Sequence, residues 1–165
     1  VSASRSPHAP GPLVVFDLAT EAWSNNWAWG LPLIVLTVLV HGFGLVEIRD
    51  RIVLQLPLFL HARRSSMVLA ILMVVTVLLL TLLHAIEAFA WAAAYVALGA
   101  RPDFPSAILY SLSAMTSYGH ADVFLAEHWQ LMGAIEALNG MMLFGLTTAF
   151  LFSVLREHWA ARGMR

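Results

Sequence analysis

Charged residues interrupt this chain so rarely that three stretches are apolar for long enough to cross a bilayer, which takes about 20 residues at ~1.5 Å rise per residue. Residues 29–46 form the first and end at Glu47, Arg49, Asp50 and Arg51. The second, 65–86, contains no charged residue and continues past Glu87 through FAWAAAYVALGA as a helical extension. The third, 129–155, is broken only by Glu136. Between the second and third, residues 104–113 are apolar but too short to span. Upstream, residues 1–12 are rich in Pro, Ser and Gly with no apolar period, and read as a tail. Residues 13–28 are moderately apolar and carry Trp23 and Trp27, followed by Trp29, the residue type that gathers at membrane interfaces. That segment is predicted to lie along the membrane surface.

Composition strengthens the membrane reading. Apolar types make up 60% of the 165 residues and charged types 12%, about half the ~25% of an average soluble protein. The nine cationic residues are all Arg, set against ten carboxylates, and the formal charge is −1. Such a balance leaves no basic surplus to neutralise a run of phosphates, which excludes nucleic-acid binding as a main function. The absence of Cys excludes disulfide frameworks, thiolate nucleophiles and Cys-ligated metals, so any metal site would depend on His and carboxylates. Arg placement then sets an expected orientation. Arg49, Arg51, Arg63 and Arg64 fall between the first two spans, and Arg156, Arg162 and Arg165 follow the third, so seven of nine share one side. Positive residues are retained on the cytoplasmic side. The N-terminus is therefore expected outside, the C-terminus inside, and residues 100–128 on the outer face. The apolar linker with Pro57 near its middle is expected at the inner interface.

The outer segment reads DFPSAILYSLSAMTSYGHADVFLAEHW. Pro105 suits a first helical turn, the run from Ser106 to Ala114 is helix-compatible, and the Ser, Tyr, Gly and His stretch after it is not. A short helix followed by a non-helical loop, set between two spanning helices, is a re-entrant hairpin. Bare backbone at that depth is tolerated only where it is buried in protein or lines water, so the loop implies a pore or a site. The C-terminus of the short helix carries a partial negative charge of about half an electron, which favours cations there.

These residues resemble the two-helix pore module of the potassium channel superfamily. The family filter Thr-Thr-Val-Gly-Tyr-Gly-Asp aligns without gaps with Thr116, Ser117, Tyr118, Gly119, His120, Ala121 and Asp122. Thr116, Gly119 and Asp122 are kept and Ser117 is conservative. In the third span, Gly140 followed by Phe144-Gly145-Leu146-Thr147-Thr148-Ala149 is similar to the family's hinge glycine and its Phe-Gly-Leu-x-Thr-Ala run. The resemblance implies an outer helix over 65–99, a pore helix and filter over 104–122 and an inner helix over 129–157, which together make a pore module over 65–157. Residues 1–28 then form a tail and interfacial segment, 29–48 a first transmembrane helix, 49–64 a linker and 158–165 a tail. Asp122 would ring the outer mouth, and Phe144, Thr148 and Phe152 would face the pore. Two departures bear on selectivity. Ala121 stands where the family has a second glycine, and a left-handed Ala costs roughly 1–2 kcal/mol. His120 replaces the bracing tyrosine, and Tyr118 replaces a valine.

Other polar residues in the spans need partners. His84 and Glu87 stand three apart on one helix face, and with Tyr110 and Glu136 they are candidates for bracing the filter, Glu87 towards His120 or Tyr118. As a His-x-x-Glu metal site the pair lacks further ligands, so no metal is expected. Glu136 lies roughly 80° off the Phe144, Thr148, Phe152 stripe at 100° per residue, which turns it towards the pore helix. His41, eight residues from Arg49, is expected to lie too shallow to meet His84 and to make a local hydrogen bond. His120, as an imidazole, is either a neutral strut on Tyr110 or Ser113 or a pH sensor.

The expectation is an all-α integral membrane protein with three transmembrane helices and a re-entrant pore helix and filter loop, placed in the bacterial inner membrane. It would form a homotetramer that conducts potassium, or monovalent cations including sodium with reduced selectivity, and it would use no cofactor. A non-conducting scaffold or accessory subunit, and a proton relay or pH sensor on His84, Glu87 and His120, stand as alternatives. No nucleophile–base pair is present, so no enzyme is expected.

Overall fold

The computed structural model describes the backbone of residues 12–55, 66–119 and 123–163, and within these the side chains from Thr20 to Ala160. Four α-helices account for most of it: α1 (Pro12–Ile48), α2 (Ser66–Ala97), α3 (Phe104–Met115) and α4 (Gln130–Gly163). A single π-helical turn, Arg49–Val53, extends α1, and a short 3-10 turn, Glu127–Trp129, leads into α4. The helices α1, α2 and α4 are long and apolar enough to cross a membrane, whereas α3 is not. Polarity runs inside out. Asn26, Thr37, His41, Thr76, Glu87, Ser111, Glu136 and Asn139 are buried, while Phe43, Leu78, Leu82 and Phe152 are exposed. In a bilayer each of those choices is favourable, because lipid accepts the apolar rim and cannot solvate the polar interior.

Three boundaries differ from the sequence reading. Residues 13–28, expected on the membrane surface, belong to the same continuous helix as the first span. Pro32 forfeits only one backbone bond, at the Ala28 carbonyl, which a packed membrane helix tolerates. Asn26 fastens this part of α1 to the start of α4: its amide donates to His128 O at 2.6 Å and its Oδ1 accepts from Met132 N at 2.7 Å. At the other end α1 does not stop at its charged residues. The π turn, closed by Leu54 N to Arg49 O at 3.0 Å, buries Val53 and leaves Arg49, Asp50 and Arg51 exposed. Arg49 then reaches Glu157 at 2.9 Å, and Arg51 reaches Glu47 at 2.5 Å. Finally, the expected tail after 157 is helical as far as Gly163. Most of the linker with Pro57, and residues 1–11, lie outside the described residues.

Helices α1 and α2 run antiparallel: Gly44 lies under Leu83, His41 meets Glu87, and Val53 packs in one cluster with Leu72 and Val154. By contrast α1 and α4 run in the same direction, and polar contacts recur along their seam. After Asn26 come Asn139 Nδ2 to Thr37 Oγ1 at 2.8 Å, His41 Nε2 to Thr147 Oγ1 at 3.2 Å, and Arg49 to Glu157. The main core lies where α2, α3 and α4 meet, built from Trp91, Ala92, Tyr95, Ala107, Met132 and Ile135 with Leu125 and Trp129. Ala88, Ala92 and Ala107 are fully buried, and their small side chains let α3 sit close against α2.

Candidate functional site

Local chemistry fixes α3 at both ends. Asp103, in extended conformation, caps its first turn: the carboxylate accepts from Ser106 N at 2.9 Å, with Pro105 in that turn. Hydrogen bonds from the Ser106 N–H and hydroxyl, with the Arg101 guanidinium nearby, hold the Asp103 carboxyl below its ordinary pKa. Arg101 also donates to Phe124 O at 2.7 Å, and Ala126 N donates to Ala100 O at 3.1 Å. These bonds clasp the two ends of the 100–126 excursion together at one end of the bundle, so that α3 projects back between α2 and α4.

The other end of α3 leads into residues 116–119, all exposed in the single chain. Their N–H groups turn back onto the helix: Thr116 N donates to Leu112 O, Ser117 N to Ala114 O, and Tyr118 N and Gly119 N both to Ser113 O. Ser117 and Gly119 have left-handed backbones, with φ of 53° and 65°. Glycine adopts that conformation freely, whereas a non-glycine residue there is uncommon. With the N–H groups spent on α3, the carbonyl oxygens of Thr116, Ser117 and Gly119 accept no hydrogen bond among the described residues. A row of unpartnered carbonyls at the negative end of a helix is a cation-attracting surface. His120, Ala121 and Asp122 lie outside the described residues.

Behind the loop, α4 comes close to α3. A Cβ at Gly140 would lie 2.7 Å from Met115 Cα, so only glycine lets the end of α3 rest there. The sequence reading made Gly140 a hinge; the structure uses it as a contact point. Gly145 has nothing within 4 Å of such a Cβ. Phe144, Thr148 and Phe152 share the exposed face of α4, opposite buried Leu143 and Val154. Glu136 faces α3, fully buried, where Ser111 Oγ donates to its Oε1 and Tyr95 OH donates to Oε2 at 2.5 Å. Tyr110 packs edge-on against Tyr95, at 5.4 Å between centroids, with its hydroxyl end against Gly133. Sequence reasoning missed Tyr95 and Ser111 as partners of Glu136. The signal that could have found them is the demand of a buried carboxylate for donors.

Residues 79–157 match a family model described as ion channel. The matched segment takes in the latter part of α2, all of α3, the loop and most of α4, and its likeness to a channel family points to a channel protein rather than an enzyme. No curated protein and no solved structure matches the chain.

Two expectations about the flank of the channel domain are corrected. His41 is not confined to a local hydrogen bond: its Nδ1 lies 2.8 Å from Glu87 Oε1, and its ring meets that of His84 edge-on at 5.2 Å. Counted along straight helices at ~1.5 Å per residue, Glu87 is 23 residues and about 35 Å from Arg64, while His41 is eight residues and ~12 Å from Arg49. Those depths hold only if both helices cross the inner boundary at those Arg residues. Because α1 continues past Arg49 and α2 starts well beyond that level, the two residues lie side by side. Glu87, expected to brace His120 or Tyr118, is instead turned to α1. His84 Nδ1 is 2.8 Å from Leu80 O, and its ring stacks on Phe144 at 4.4 Å.

Proposed function

We propose that the chain is the pore-forming subunit of a homotetrameric channel for monovalent cations, potassium by default and sodium with reduced discrimination. Its N-terminus faces outward and its C-terminus inward in a bacterial inner membrane. The observation that carries this reading is the loop after α3, whose N–H groups cap their own helix while the carbonyls of the exposed Thr116, Ser117 and Gly119 accept no hydrogen bond among the described residues. One such loop cannot enclose an ion. A closed ring of carbonyls needs copies related by rotation; likeness to the potassium channel superfamily supports four of them, with Asp122 at the outer mouth. The exposed Phe144, Thr148 and Phe152 face supplies an α4 surface for the axis. His120 and Ala121, where the family has Tyr and Gly, argue for a pore less selective than its relatives.

The test is cation flux into liposomes holding the purified protein, under a potassium gradient and then a sodium gradient, with native mass measured on the same preparation. Flux from a four-chain assembly is expected. An intact tetramer silent to both ions would make the protein a non-conducting scaffold, and a monomer or dimer would remove the ring. In the conducting protein, the pair His120→Tyr and Ala121→Gly should shift the reversal potential in mixed potassium and sodium towards potassium.

A further inference from the structure

Sequence reasoning rejected a metal at His84 and Glu87 for want of a third ligand, and α1 supplies one. His41, His84 and Glu87 each offer a donor atom, and these atoms all lie within 4.8 Å of one another. His41 is fully buried and Glu87 nearly so, at 1% exposure. We propose that these three residues bind a divalent transition-metal ion, with Zn2+ the fitting species, inside the membrane between α1 and α2.

Two imidazoles and one carboxylate form the donor set of zinc sites that keep an open position. Calcium and magnesium are disfavoured, because they take oxygen ligands in larger number. The donors also have lone pairs to give. Leu80 O can only accept, so His84 Nδ1 carries the proton in that bond, which leaves Nε2 as the ring's ligating nitrogen, without a hydrogen-bond partner among the described residues. Glu87 Oε2 has none either. Ligating histidines ordinarily donate their second ring N–H to a carbonyl or another oxygen. That describes His84 on Leu80, and it describes His41 if Nδ1 ligates and Nε2 donates to Thr147 Oγ1 at 3.2 Å. Around an ion with bonds of about 2.0–2.2 Å the donors must close in slightly, a movement that side-chain rotation supplies. On the side away from α1, His84 lines a cavity of about 360 Å³ together with Thr116, Phe144 and Thr147, from which an ion would reach the site by rotation of the ring. Bound metal would tie α1 to α2, and it would fix the ring on which Phe144 of α4 stacks.

The experiment uses the full-length protein in detergent, stripped by chelator and titrated with Zn2+ by calorimetry, and separately with Co2+ by visible absorption. The chain has seven histidines, so the comparison with variants decides the site. His84→Gln removes the unpartnered nitrogen while leaving the His41–Glu87 pair to hold α1 on α2; Glu87→Gln is the second variant. Expected are one Zn2+ per chain in the parent, lost or weakened in each variant by more than the roughly 10–100-fold that loss of an outer-shell partner costs, ligand-field bands of Co2+ in the parent only, and no competition by excess Mg2+. Zinc binding that is absent, or equal in parent and folded variants, would overturn the proposal. The readout is binding, so silence in the flux assay leaves it standing.

Discussion

Replacing Gly140 with Ala separates two readings of one glycine. If Gly140 is a hinge, a methyl group stiffens α4, and removing a helix-interior glycine stabilises by about 0.5–1 kcal/mol. If it is a contact point, the sign reverses. The new Cβ would stand 2.7 Å from Met115 Cα and 2.9 Å from its carbonyl carbon, where carbon atoms at rest keep about 3.5–4.0 Å. The obstacle is backbone, not the tip of a flexible side chain, so the end of α3 must retreat by nearly an ångström. Overpacking of this kind costs about 1–3 kcal/mol. Subtracting the propensity gain leaves a net loss of about 1 kcal/mol at the midpoints of the two ranges and up to about 2.5 kcal/mol.

Equilibrium unfolding of the purified protein in mixed micelles, followed by tryptophan emission, reads this difference. Gly145→Ala is the control, because a Cβ there meets nothing within 4 Å in the subunit, and it should keep or gain stability. Met115 is followed directly by the 116–119 loop, so Gly140→Ala should also alter cation flux in liposomes more than Gly145→Ala does. A Gly140→Ala protein as stable as its parent would refute the contact reading and restore the hinge. Equal losses in the two variants would place the effect in helix rigidity, not at Met115.

Glu136→Ala strands the Tyr95 hydroxyl, whereas the Ser111 hydroxyl turns to Ala88 O at 2.9 Å, and the variant should destabilise by about 1–3 kcal/mol for the one unsatisfied group; Glu136→Gln, which keeps an acceptor, should lose less in the same unfolding assay. Asn26→Ala removes the clamp on His128 O and Met132 N and should cost about 1–3 kcal/mol, with hydrogen exchange rising first at the start of α4. The Asp103 carboxyl is held below its ordinary pKa in the folded protein, so the stability it contributes is present above its unfolded pKa of about 3.9 and is lost as pH falls through the lowered folded value. Melting curves taken down to acid pH should therefore show an acid-side decline that is shallower in Asp103→Asn.

The spans were legible because an apolar run of 20 residues has few other uses, and α3 was legible because Pro105 and the Ser-Tyr-Gly stretch mark its ends by local chemistry. The 100° step between residues likewise turns Glu136 towards α3 without knowledge of any neighbour. What sequence could not supply is the register between helices. Each span is apolar on nearly all sides, so no stripe marks which residue of α1 is level with which residue of α2, and charges near the ends were taken as boundary marks instead. Arg49 and Arg51 are poor marks, since ion pairs with Glu157 and Glu47 let the helix run on past them.

The first span shows what that missing register controls. It lies outside the 79–157 match, yet its buried polar residues are spent on the channel domain: Asn26 on the start of α4, Thr37 on Asn139, and His41 on both Glu87 and Thr147. Within lipid these groups have no water to turn to, and each bond is satisfied in one relative position of α1 and α4 only. A sliding or rotation of α4 against α1 must break several of them together. The span thus acts as a toothed support for the helix that carries Gly140, Phe144 and Thr148, and any movement that opens or closes a pore along α4 has to take α1 with it or bend between the last interior tooth, at Thr147, and the exposed Arg49–Glu157 pair.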